Sequence, residues 1–242
     1  MILNATLPGG FLDANLVKNV FGWARKQSHK PSERVPRLSG LDLDLLQSPR
    51  ALLLDLRAPF LFSAAFIPGS VNLPEFESPD LLHAAGLIGE RSVYLLSDAD
   101  LPVERAVRFF ERFDRMPVAG RFAEQAIETW RKTQPNTGKI EYISAETLGV
   151  RLAAWKTVVA DIRDPAAFRK AHIPDAISIP LNNLAAALDG LPRQTSLSLV
   201  CDEGKSCTFA ASLLWSAGYR QLAVVRGGFA AYLEHGFPLQ RW

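Results

Sequence analysis

The sequence predicts an α/β protein made of two successive units, each a parallel sheet with helices on both faces. Three observations lead there. Short apolar runs alternate with segments whose apolar residues recur at helical spacing, the pattern of strands wrapped by helices. Residues 55–74 recur as residues 161–180 at a constant shift, Asp55 matching Asp161 and Pro74 matching Pro180, both 106 positions apart. A chain of 242 residues is long for one ordinary domain and sufficient for two cores.

Composition narrows the function classes. Hydrophobic residues make up 48% and charged residues 21%, the formal charge is +2, and no apolar run reaches membrane-spanning length. A transmembrane segment and a nucleic-acid partner are not expected. The two cysteines, Cys201 and Cys207, lie in one loop, which excludes a disulfide framework and favours a reducing compartment. Met1-Ile2-Leu3-Asn4-Ala5 lacks the basic start of a signal peptide, so the expected location is cytoplasmic. His29, His83, His172 and His235 show no metal-ligand spacing, and no metal is expected.

Residues 1–37 form a basic arm. They hold six basic and two acidic residues, leaving 21 basic and 23 acidic for the rest of the chain. Val17, Val20, Phe21 and Ala24 make one helical face suited to packing on the first unit, with a surface for a partner or a membrane as the alternative, and Pro31 and Pro36 punctuate a linker. The first unit is expected over residues 38–134, with strands at 51–54, 71–73 and 93–96. Residues 132–138, polar and rich in breakers, separate it from the second unit at 140–242. There the strands are expected at 158–160, 177–179, 197–200 and 222–225.

The chemistry is expected between the strand at 197–200 and a helix that runs from Thr208 to Ser216 and closes on Gly218. Cys201 opens this turn. Its loop N–H groups and the positive helix end face one concavity, which favours an anion, whether thiolate or persulfide. A free thiol of pKa ~8.5 is only about 3% ionised at pH 7, so a drop of ~2 units decides its reactivity. Asp202 and Glu203 oppose that drop unless they face solvent, and Lys205 favours it. The first unit has Ser97 at the matching place, followed by Asp98-Ala99-Asp100-Leu101-Pro102. Two carboxylates, a missing N–H at Pro102 and no evident base make that turn a poor anion cradle, so the first copy is read as inactive.

Cys201-Asp202-Glu203-Gly204-Lys205-Ser206 resembles the active-site loop of the rhodanese family of sulfurtransferases. The segment from Asp161-Ile162-Arg163 through Phe168 and Ala171-His172-Ile173-Pro174-Asp175-Ala176 to Pro180 is similar to another family motif, and Gly227-Gly228-Phe229 to its closing one. The resemblance implies tandem rhodanese-like domains, the first without the catalytic cysteine. It implies Cys201 as nucleophile and a cradle of N–H groups from Asp202, Glu203, Gly204, Lys205, Ser206 and Cys207. Arg163 is expected in an ion pair near the loop, with Arg163 and Lys205 also the candidates to meet a substrate anion. His172 stands where the first copy has Phe66, which points to packing. Ala171 and Asp175 replace the family's usual glycines.

The expected activity is transfer of a sulfane sulfur from thiosulfate, mercaptopyruvate or a persulfide to cyanide or a thiol, through a Cys201 persulfide and without a cofactor. An acidic loop disfavours a small dianion and suits a bulkier donor or a protein persulfide. A Cys-x5-Arg phosphatase would need arginine where Cys207 stands. The alternative is a non-enzymatic binding or redox-switch module using the Cys201/Cys207 pair. Cys207 itself reads as a small buried residue, placed near enough to pair with Cys201 as a resolving thiol.

Overall fold

The computed structural model describes residues 30–113, 116–134, 136–204 and 206–241. The first unit contains β1 (Arg37–Leu38), β2 (Ala51–Asp55), β3 (Val71–Asn72), β4 (Ser92–Leu96) and β5 (Val118–Phe122). Around them lie α1 (Pro59–Ala64), α2 (Asp80–Ala84), α3 (Asp100–Phe110) and α4 (Gln125–Thr133). The second unit contains β6 (Glu141–Ile143), β7 (Val158–Asp161), β8 (Ile177–Ser178), β9 (Leu197–Val200) and β10 (Leu222–Val225). Its helices are α5 (Ala145–Ala153), α6 (Pro165–Lys170), α7 (Leu184–Ala187), α8 (Cys207–Ser216) and α9 (Gly228–Glu234).

Both sheets are five-stranded, and every pairing is parallel. Their orders are β1-β5-β4-β2-β3 and β6-β10-β9-β7-β8, one topology used twice. Register repeats as well, since Asp55 pairs with Asn72 and Asp161 with Ser178. The central strands read as unbroken apolar runs because both faces are buried. On β2, Leu52 and Leu54 enter one core and Leu53 the opposite one. On β10, Leu222 and Val224 divide in the same way from Ala223 and Val225.

Three strands escape the sequence reading. β1 and β6 are short edge strands, and β5 hides its pattern behind Gly120 and Arg121. Arg121 is buried there because Asp100 accepts from its Nη1 at 2.7 Å. The expected linker also starts later than the composition suggests, because Lys132 and Thr133 belong to α4. At its end, Phe66 and Gly138 exchange both backbone hydrogen bonds, and just past it Ile140 N–H donates to the Ser63 carbonyl at 2.9 Å. The apolar face expected at Val17 to Ala24 lies outside the described residues. Residues 31–38 are built into the first unit: Val35 enters its core, and Arg121 N–H donates to the Pro36 carbonyl at 2.8 Å.

Helix α8 joins the units. A helix that is apolar all round must be covered all round. Cys207, Ala210, Ala211 and Leu214 face the second unit's core, Phe209 enters the core of the first, and the half-buried Leu213 packs against both. Its two buried polar residues, Thr208 and Ser212, lie one turn apart and meet Asn72 on β3. Thr208 Oγ1 donates to Asn72 Oδ1 at 2.5 Å, and Asn72 N–H donates to Ser212 Oγ at 3.0 Å. Asn72 Nδ2 is held in turn by the carbonyls of Asp55 and Arg57.

All of these groups are buried, so removing one partner leaves the other unsatisfied at a cost of about 1–3 kcal/mol. Thr208→Val keeps the shape and removes the donor. It is expected to lower unfolding stability by that amount, read as a shift of the urea midpoint with unchanged slope.

Candidate active site

Cys201 is the first residue after β9, and Cys207 is the first residue of α8. The loop between them is closed from below by α9. Phe229 N–H donates to the Cys201 carbonyl at 2.7 Å and Ala230 N–H to the Asp202 carbonyl at 3.0 Å, so the first turn of α9 binds the start of the loop. Such proximity requires glycine on both sides. Gly204 has φ +83° and Gly228 φ +59°, and a Cβ on Gly228 would stand 2.1 Å from the Cys201 carbonyl oxygen.

The sulfur environment follows from this loop. Cys201 is 6% exposed and Cys207 fully buried, and both are free thiols. The Cys207 thiol donates to Cys201 Sγ at 3.0 Å. That hydrogen bond is the main reason the Cys201 thiol is held below its ordinary pKa; burial opposes it, and the N–H groups of Ser206, Gly204 and Cys207 add to it. Burial, together with the adjacent Cys201, pushes Cys207 well above the usual thiol range. Of the pair, Cys201 is therefore the sulfur that ionises first, and Cys207 is the one that keeps its proton. Asp202 and Glu203 are exposed, the orientation in which their charges weigh least on the thiolate. Lys205 lies outside the described residues.

Arg163 is buried, 5% exposed, and has structural partners. Its Nε and Nη2 grip both Asp161 oxygens at 2.7–3.0 Å, Nη2 donates to the Ala171 carbonyl at 2.9 Å, and the guanidinium stacks 3.6 Å from the Phe229 ring centroid. It thereby steadies the residue whose N–H holds the Cys201 carbonyl. Arg57 repeats the arrangement with Asp55 and the Ala65 carbonyl. His172 behaves as an aromatic spacer: its ring stacks on Phe168 with centroids 4.0 Å apart, as Phe66 stacks on Phe62 at 4.4 Å. Asp175 takes the left-handed backbone, φ 59°, that Gly69 takes in the first copy.

The matching turn of the first unit has no room for a cradle. Only two residues separate Ser97 from the start of α3, and Ser97 Oγ hydrogen-bonds within the turn to Ala99. The Asp100–Arg121 pair lies beside it. Next to the second unit's loop, Leu73, Pro74, Ser78, Leu81, Ser206 and Phe209 line a crevice of about 30 Å³, large enough for a water-sized group. A wider open groove, lined in part by Lys139, Arg151, Lys156 and Ser196, lies at the opposite, amino-terminal edge of the second sheet. The sequence reading missed Asn72, Thr208 and Ser212 as supports of the site; hydroxyls recurring at four-residue spacing, 208, 212 and 216, in a largely apolar helix were the available signal.

Comparison with known proteins places this geometry. Residues 144–235 match the Rhodanese-like domain family, and that match lies in the unit that carries Cys201. A sulfurtransferase of Allochromatium vinosum is 31% identical over 101 residues, which make up 41% of this chain and 94% of that protein. A thiosulfate sulfurtransferase GlpE of Tolumonas auensis is 29% identical over 96 residues, 40% of this chain and 90% of that one. The solved structure of a thiosulfate sulfurtransferase from Pseudomonas aeruginosa aligns over 86% of this chain and 44% of that one, with 20% identity and a TM-score of 0.37.

Two outcomes test the loop. Alkylation of Cys201 by iodoacetamide, followed by intact mass, is expected to accelerate with rising pH and level off at a midpoint below that of an ordinary cysteine thiol. Cys207→Ala removes the S–H donor and is expected to raise that midpoint. Gly228→Ala combines a positive φ with a collision against backbone, and is expected to lose at least about 2 kcal/mol in urea unfolding.

Proposed function

The chain belongs to the rhodanese-like family of sulfurtransferases, and from that membership we propose that it moves a sulfane sulfur to a thiophilic acceptor through a persulfide on Cys201. The observation that carries this reading is the Cys201 sulfur itself, at the carboxyl end of β9, receiving one S–H and a set of backbone N–H groups. Ligands of open parallel sheets bind at that end.

In the first half-reaction the Cys201 thiolate attacks the outer sulfur of the donor. A sulfur–sulfur bond forms, the donor's bond to that sulfur breaks, and its electron pair leaves with sulfite, pyruvate enolate or a thiolate. The negative charge then sits one atom further out, where the N–H groups of the loop stabilise it. In the second half-reaction cyanide or a thiolate attacks the outer sulfur and returns the Cys201 thiolate. Gly204, Ser206 and Cys207 supply N–H donors, Arg163 positions the loop through Phe229, and the first unit supports α8 without a nucleophile of its own. Asp202 and Glu203 bias the choice of donor through solvent-screened repulsion, at most about 1 kcal/mol per unit charge at contact distance in water and twice that for a dianion. A singly charged persulfide is therefore favoured over thiosulfate.

The test is intact mass after incubation of reduced, desalted protein with thiosulfate, mercaptopyruvate or glutathione persulfide. One sulfur is expected on the parent or on Cys207→Ser, and none on Cys201→Ser. If no donor adds sulfur to either protein that keeps Cys201, the reading is wrong. Turnover with cyanide is expected to show ping-pong kinetics.

A further inference from the structure

The pair Cys201 and Cys207 offers more chemistry than transfer to an external acceptor requires. We infer that Cys207 is a resolving thiol: it attacks the Cys201 persulfide, closes a Cys201–Cys207 disulfide and expels the outer sulfur as sulfide. This rests on the sulfur-transfer reading above and adds a second fate for the same intermediate, a sulfide-releasing persulfide reduction.

The geometry sets up the displacement. Cys207 Sγ lies 3.0 Å from Cys201 Sγ, and a disulfide bond of ~2.05 Å needs a closing movement of only ~1 Å. Cys207 Sγ also lies 3.5 Å from the Leu199 carbonyl oxygen, so it approaches Cys201 from the strand side. The N–H groups of Gly204, Ser206 and Cys207 are the donors available to the outer sulfur, and displacement requires that sulfur to lie opposite Cys207 Sγ across Cys201 Sγ.

The step balances. The Cys201 persulfide anion and the Cys207 thiol become a disulfide and one hydrosulfide ion. The Cys201–Cys207 bond forms as the bond to the outer sulfur breaks; both cysteine sulfurs are oxidised by one electron equivalent, and the sulfane sulfur is reduced to sulfide. The Cys207 proton leaves on the hydrosulfide. Before loading, that proton is held by the Cys201 thiolate; after loading, the charge has moved to the outer sulfur and the proton follows it. A buried thiol is a poor nucleophile towards solutes, but this one needs no access, since its target is already in contact. Continued turnover needs an external dithiol to reduce the disulfide.

The experiment loads reduced, desalted parent, Cys207→Ser and Cys201→Ser with one equivalent of glutathione persulfide, and follows intact mass and free sulfide with time. In the parent, the species with one extra sulfur is expected to convert to one lacking two hydrogens, with one equivalent of sulfide above the Cys201→Ser control. Cys207→Ser is expected to keep its extra sulfur and to release no sulfide above that control. Dithiothreitol is expected to restore the parent's reduced mass. A parent that retains its extra sulfur as long as Cys207→Ser does overturns the inference and leaves sulfur transfer standing. Uptake of sulfur by neither protein, with no excess sulfide, overturns the transfer reading and this inference together. If Cys207→Ser does not fold, the parent's time course decides alone, because disulfide and sulfide must then rise in step.

Discussion

Burial of the start of α8, Cys207 to Ser212, on every side is the constraint on which the site depends. Its first residue is Cys207, and its N-terminal turn closes the Cys201 loop. Such a helix cannot face water, so a second body has to cover the side that the second sheet leaves open. The first unit does so with its own core, accepting Phe209 and Leu213, and with Asn72. This gives the first unit a role without a nucleophile. Its Ser97 turn has shrunk to an internally bonded bend, whereas its Asp55–Arg57 pair, which fixes the end of β2 beside Asn72, is intact.

The two Asp–Arg pairs show how the same device serves different ends. A buried ion pair is costly to desolvate and keeps its place only when its hydrogen bonds are complete. Both arginines use a backbone carbonyl across the following helix, Ala65 or Ala171, to complete the set. In the second copy the guanidinium also covers Phe229, whose N–H holds the Cys201 carbonyl. In the first copy the matching carboxylate's backbone oxygen holds Asn72, and through it α8. One motif fixes the loop from beneath and the other fixes the helix from outside.

Legibility in the sequence follows burial. β9 and β10 were readable to the residue because strands covered on both faces are written as continuous apolar runs, and the repeat was readable because its Asp-x-Arg and Pro landmarks keep their spacing. β5 was not, since Arg121 makes sense in a strand only once Asp100, from the next turn, is seen against it. The Asn72–Thr208 contact joins residues 136 positions apart, and no local pattern encodes it. At the site, Cys201 and its glycine were readable from type and spacing. The sign of the loop electrostatics was not, because it turns on Asp202 and Glu203 facing solvent and on where the Cys207 proton points.

The identity of the residue at position 207 then separates two kinds of chemistry on one scaffold. An arginine there would place a permanent, bidentate cation in the loop, suited to an oxyanion whose charge stays on the substrate. Cysteine instead supplies a proton that can leave and a sulfur that can bond. Before sulfur arrives, the proton lowers the energy of the Cys201 thiolate, which burial alone would raise. On the proposed route, sulfur arriving on Cys201 would move the charge one atom outward, and the same 3.0 Å contact would become an approach distance. A site organised in this way needs no separate base for either event, which accords with a loop whose carboxylates are directed to solvent rather than to the sulfurs.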